Sequence, residues 1–178
     1  MESTKSRLSS GDRLILQTVE VPQANDLSKV FAVAKLIADG ANTPAEVAAG
    51  LDLVEREGAY YLSAARALRL VRKLPQGEAA EYALSHVGDA YVEARGDKAR
   101  AAVMVRGTLD CPHVVFVAEA LGLPTPLSTP TPRELHDVAL IENELIQLGD
   151  LSGSTPRRRA STLVSWMKTV DRLARSLR

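Results

Sequence analysis

Apolar residues along this chain recur mostly at helical spacing. Leu27, Val30, Phe31, Ala34 and Ile37 fall at i, i+3, i+4, i+7 and i+10. That spacing puts them on one face of a helix, and Gly40 stands where a C-cap is expected. Leu163, Trp166, Met167, Val170 and Leu173 repeat the pattern near the C-terminus. Strand-like stretches are few: residues 13–21, ended by Pro22, and residues 70–74 and 78–84, joined through Pro75-Gln76-Gly77 as a hairpin turn.

Between these elements the chain carries helix-start signals. Thr43-Pro44-Ala45-Glu46 has the form of a capping box with proline in the first turn. It opens a short helix bearing Val47 and Leu51. A break near Asp52 precedes a second helix over residues 54–68, with Val54, Gly58, Tyr61, Leu62, Ala65 and Leu68 as its inward positions. Two short helices after a longer one form the helix-turn-helix pattern, and the hairpin that follows fits a wing. Ser85 is placed to cap a helix reaching about Ala94, closed by Gly96. Residues 98–109 and 113–121 are helical, split at Cys111-Pro112, and a Pro/Thr-rich connector spans 123–131. Thr131-Pro132-Arg133-Glu134 then repeats the capping box. After a polar turn over 149–154, Thr155-Pro156 opens the last helix. A capping box, a turn and a basic helix thus recur about 90 residues apart. The expected fold is mostly α: tandem winged-helix or helix-turn-helix units with a small β-hairpin wing. The expected divisions are a flexible tail over 1–12, a first unit over 13–96 and a second over 97–178.

Composition agrees with helices, since aromatics are only 4% of the 178 residues. Net charge is zero, but its distribution is not even. From Pro156 onward there are seven basic residues (Arg157, Arg158, Arg159, Lys168, Arg172, Arg175, Arg178) against Asp171 alone. Binding follows the local field and not the total. Cys111 is the only cysteine, which excludes an internal disulfide and a cysteine-cluster zinc site. No apolar run reaches the length of a membrane span, and no signal-peptide region precedes Arg13. A cytoplasmic location without a membrane partner is the expectation.

With Leu163 and Trp166 inward, Arg157, Arg158, Ser161, Ser165 and Lys168 project outward, and Arg159 and Thr162 sit at the boundary. A major groove admits a helix, and arginine bridges guanine O6 and N7. Three arginines in the first turn suit the helix end that enters the groove. Ser161, Thr162, Ser165 and Lys168 are candidates for phosphates. The bland alternative is a solvated basic face. On the earlier helix the outward face is Glu55, Arg56, Ala59, Tyr60, Ser63 and Arg66. Arg56 is placed to read guanine, Ala59 and Tyr60 to pack on a thymine or methylcytosine C5-methyl, and Arg66 with Arg69 or Lys73 to meet phosphates. The alternative makes Tyr60 and Tyr61 both core or interface residues.

Catalytic constellations are weaker. Ser85, His86 and Asp89 lack a nucleophile elbow, and a capping serine accounts for the first. Cys111 with His113 reads as a helix break with a buried thiol, and His136 as an isolated surface residue. Glu142 and Glu144 do not form a pair. No enzyme, cofactor or metal site is expected.

The run Thr43-Pro44-Ala45-Glu46-Val47-Ala48, with Arg56-Glu57-Gly58-Ala59-Tyr60-Tyr61-Leu62-Ser63-Ala64-Ala65 and Leu68-Arg69-Leu70-Val71, resembles a winged-helix unit of bacterial restriction systems, of the kind associated with type II and type IV restriction endonucleases. Leu84-Ser85-His86-Val87-Gly88 and the stretch from Ser154 to Trp166 are similar to its continuation. The resemblance covers roughly residues 25–172 through degenerate motifs. It implies recognition of double-stranded DNA, at a specific or methylcytosine-bearing site, beside a nuclease domain or subunit that this chain does not include. A dimeric winged-helix transcriptional regulator and a protein-interaction adaptor, whose basic helix meets an acidic partner, remain open at this level.

Overall fold

The computed structural model describes residues 23–74, 82–148 and 155–178. The strand expected over 13–21, the hairpin turn at 75–77 and the polar turn at 149–154 lie outside the described residues. Within them the chain is mostly α: eight helices and one two-stranded antiparallel sheet.

Helix α1 (Leu27–Ala38) is capped by Asp26, whose carboxylate accepts from the Ser28 and Lys29 amides. It buries Leu27, Val30, Phe31, Val33, Ala34 and Ile37, the stripe that the spacing predicts. Gly40, at φ 104°, ends it, and the Ala41 amide reaches back to the Leu36 carbonyl at 2.9 Å. Helix α2 (Pro44–Gly50) starts on the expected capping box: Thr43 Oγ1 accepts from the Glu46 amide, and the Glu46 carboxylate accepts from the Thr43 amide. The Asn42 amide, the Thr43 hydroxyl and the Thr43 amide all donate to that exposed carboxylate and hold the Glu46 carboxyl below its ordinary range.

Helix α3 (Glu55–Ala67) follows a tight turn. Asp52 takes the left-handed conformation there, φ 54°, and the Leu53 amide returns to the Ala48 carbonyl at 2.9 Å. The same double return ends α3, where Arg69 has φ 56° and the Leu70 amide reaches the Ala65 carbonyl at 2.8 Å. Both are Schellman closures without glycine. Val54, expected inward, instead precedes the first turn of α3 and is 65% exposed. It has β backbone geometry (ψ 151°) and so lies outside the helical periodicity used to place it.

Strands β1 (Val71–Lys73) and β2 (Tyr82–Leu84) pair Val71 with Leu84 and Lys73 with Tyr82. Strand β1 is shorter than the expected 70–74, and of the expected 78–84 only residues 82–84 lie among those described. Ser85 ties the sheet to helix α4 (His86–Glu93): its hydroxyl donates to the Arg69 carbonyl and accepts from the Val87 amide. Gly96, at φ 82°, caps the start of α5 (Asp97–Leu109) rather than closing α4. Helix α6 (Pro112–Ala120) follows at Cys111-Pro112, bent by 50° from α5. No single helix among the described residues is long and apolar enough to cross a membrane.

The second capping box does not form. Residues Arg133–His136 make a short 3-10 turn, and helix α7 (Val138–Leu148) starts after Asp137, whose carboxylate caps it. Thr131 is committed elsewhere, to Asp171 and His136. Helix α8 (Thr155–Leu177) is the longest, 23 residues, or about 34 Å at 1.5 Å per residue.

Packing joins these parts around one contiguous apolar cluster from Ala24 to Val170. Helix α2 packs on α3, α1 backs both, and α8 packs against α5, α7 and α1. Trp166 is fully buried at this junction, its Nε1 donating to the Ala24 carbonyl at 2.8 Å. Burying a tryptophan ring removes about 150–250 Å² from water, so α8 is anchored over its middle third.

Candidate nucleic-acid interface

Two exposed basic surfaces emerge, and they differ in kind. On α3 the inward face is Gly58, Leu62, Ala64, Ala65 and Ala67. Gly58 is what lets α2 come so close: a Cβ there would collide with the Pro44 carbonyl and meet the Ala48 Cβ at 2.7 Å. With that side closed, Glu55, Arg56, Ala59 and Arg66 are exposed and Ser63 half-exposed. Arg69, Arg72 and Lys73, beyond the helix and on β1, are exposed as well.

Arg56 and Tyr60 act as a pair. The Arg56 Nε donates to the Tyr60 hydroxyl at 2.8 Å, and the guanidinium carbon lies 5.7 Å from the ring centroid. The contact braces a flexible arginine against an aromatic face and leaves the guanidinium terminal nitrogens for an outside acceptor. Tyr61 turns the other way and is half-buried, and burial pushes its phenol above its ordinary value. Both tyrosines are half-buried, but Tyr61 packs against the core whereas the Tyr60 hydroxyl is engaged by the exposed Arg56.

The expected cluster at the start of α8 is divided. Arg157 is exposed but bridges Glu142 of α7 at 3.6 Å. Arg158 is exposed, whereas Arg159 is 7% exposed and packs inward. Thr162 is fully buried, and its hydroxyl donates to Asn25 Oδ1 at 2.5 Å. The Ser165 hydroxyl donates to the Asn25 carbonyl at 2.9 Å. These two hydroxyls, expected to meet phosphates, hold the segment before α1 instead. Ser161 is half-exposed and Lys168 exposed.

Sequence reasoning counted two further cations in the basic total without placing them on this side of α8. Arg172 and Arg175 are exposed and continue the row begun by Arg158 and Lys168. The signal was present in the spacing, because 158, 161, 165, 168, 172 and 175 advance by alternating threes and fours. Asp171, the one acid in α8, is not on that row. It faces Thr131 and His136.

His136 is not an isolated surface residue. Its Nε2 lies 2.7 Å from Thr131 Oγ1 and 3.2 Å from Asp171 Oδ2. Both partners meet the same ring nitrogen, which is not the relay of a hydrolytic triad. Cys111 is 1% exposed, with its Sγ 3.5 Å from the Ala67 carbonyl and 3.7 Å from His113 Nδ1. Burial pushes its thiol up to about 11. Among the described residues no group of three or more His, Cys, Asp or Glu is gathered to hold a metal ion.

Fold and surface together define a small, mostly helical domain with one antiparallel strand pair and exposed basic faces. The chain belongs to the family described as a domain of unknown function, DUF7226, which it matches over residues 29–175. No curated protein and no solved structure matches it.

Proposed function

We propose that the chain binds double-stranded DNA as a winged-helix protein, with α3 as its reading helix and the strand pair after it as the wing. The observation that carries this is the outward face of α3: Arg56, Ala59, Ser63 and Arg66, continued by Arg69, Arg72 and Lys73. The order α1, α2, tight turn, α3, strand pair supports it, because that order presents the second short helix for a major groove. Glu55 on the same face repels phosphate and favours a register in which the N-terminal edge of α3 meets bases. A glutamate accepts from cytosine N4.

Ala59 and the braced ring of Tyr60 offer apolar contact beside an arginine. That combination suits a pyrimidine C5-methyl next to guanine, the chemistry of a methylated CpG step. A role in sensing modified DNA within a restriction system, together with a nuclease carried elsewhere, follows from it. The role is one of binding and not of catalysis: Ser85 is spent as a cap, and Cys111 is buried with a raised thiol pKa.

The test is binding of random duplexes across a salt series, followed by selection with and without cytosine methylation. Binding should weaken steeply as salt rises, and no retention at low salt would sink the proposal. Arg56→Ala should cost about 1–3 kcal/mol at one base position. Uniform loss on every sequence would reassign Arg56 to a phosphate.

A further inference from the structure

The row of cations on α8 differs from the face of α3 in one respect that matters for what it can hold. It is long and of one sign. Leu163, Trp166, Met167 and Val170 are buried along the opposite side, so the helix cannot roll. Arg158, Lys168, Arg172 and Arg175 are exposed and make no salt bridge with another described residue. Arg157, at the edge of the row, is already paired with Glu142. Asp171 is held away by two bonds from Thr131, 2.9 Å each. The seventeen steps from Arg158 to Arg175 span about 25 Å along the axis.

We infer that this row is a phosphate-contacting rail for double-stranded DNA, independent of sequence, and that α8 is not a second base-reading helix. The inference rests on the DNA-binding reading above. Base readout by a helix end calls for several free side chains in the first turns, and there only Arg158 and the half-exposed Ser161 remain: Arg157 is paired, Arg159 is buried, and Thr162 and Ser165 are bonded to Asn25. A major groove is about 12 Å wide. Cations spread over twice that distance meet the backbones that flank it, where a charge-only contact needs no base. Phosphates recur every 3.4 Å of axis on each strand, so flexible cations laid along one backbone reach phosphates without a fixed register.

The decisive experiment compares the whole chain with a variant carrying Arg158→Gln, Lys168→Gln, Arg172→Gln and Arg175→Gln. Each is read on several unrelated duplexes between low and physiological salt. All four side chains are exposed, and Trp166 fluorescence verifies the fold. If the combined variant does not fold, Lys168→Gln and Arg175→Gln singly give the same readout at smaller size. The expected result is equal weakening on every duplex. The slope of log affinity against log salt should shrink by about 0.9 per lost contact, or roughly three to four in all. A slope equal to that of the unaltered chain, or loss confined to one sequence, overturns the rail while leaving DNA binding by α3 in place. No duplex binding by the unaltered chain removes the DNA reading itself. Binding of the unaltered chain to phosphatidylserine vesicles alone, lost in the variant, overturns the rail in favour of a membrane surface.

Discussion

Thr131 gives both its backbone amide and its hydroxyl to the Asp171 carboxylate, each at 2.9 Å. Forty residues separate the two in sequence, so the contact fastens the end of the connector onto the last helix. His136 Nε2 lies 2.7 Å from the same hydroxyl, whose proton goes to the carboxylate. Thr131 is 6% exposed, and hydrogen bonds to a charged partner in such a setting contribute about 1.5–3 kcal/mol. Asp171→Ala is therefore expected to lower unfolding stability by that amount in a denaturant titration. A change below about 0.5 kcal/mol, the scatter of ordinary surface substitutions, would mean that the connector is held by other contacts.

Gly58 sits where α3 passes closest to α2. A methyl group there has no place to go, since the obstacle is the backbone of Pro44 and not a flexible side chain. Gly58→Ala is expected to force the two helices apart and to cost about 1–3 kcal/mol, despite the better helix propensity of alanine. Melting temperature relative to the unaltered chain is the measurement. A rise would show that α2 shifts without penalty.

How much of this was legible in the sequence follows from what each signal depends on. The stripes on α1 and α8 and the capping box at Thr43 are local and strong, and they appear as expected. Thr131-Pro132-Arg133-Glu134 carries the same local signal and fails, because Asp171, forty positions away, offers the threonine a charged partner that a cap amide cannot match. Thr162 and Ser165 were misplaced for a similar reason. Nothing around them announces that Asn25 will lie alongside, 137 and 140 residues earlier. Arg56 and Tyr60 were readable as an i, i+4 pair on one face, and their direct contact follows from that spacing.

Arg69 offers a case in which stability and binding should move in opposite directions. Its φ of 56° is a conformation that glycine adopts without strain and arginine does not. Arg69→Gly is expected to stabilise the fold by about 0.4–1 kcal/mol while weakening DNA binding through the lost cation. Arg69→Ala should weaken binding equally and stabilise nothing. Paired denaturation and salt-dependent binding measurements on both variants check this. Unchanged binding in both would place Arg69 outside the interface.

Cys111 carries a pH dependence whose sign is fixed by its surroundings. Burial first, offset in part by backbone hydrogen bonds from Val114 and His113, raises the thiol from 9.0 to about 11. Below pH 9 the thiol is protonated in both folded and unfolded chains, so its full contribution to stability is present. Between about pH 9 and 11 the unfolded chain gives up its proton first, and stability falls as pH rises. Two units correspond to roughly 2–3 kcal/mol by pH 11. Tyr61 and Tyr91, also raised by burial, push the same way above pH 10, so the thiol is isolated by comparison with Cys111→Ala. Denaturation midpoints at pH 8, 9 and 10 should converge between the two chains as pH rises, because only the unaltered one loses the thiol term. Parallel curves would show that the thiol ionises as easily folded as unfolded. Iodoacetamide at pH 8 gives a second check: alkylation of the native chain should be slow and should accelerate on unfolding.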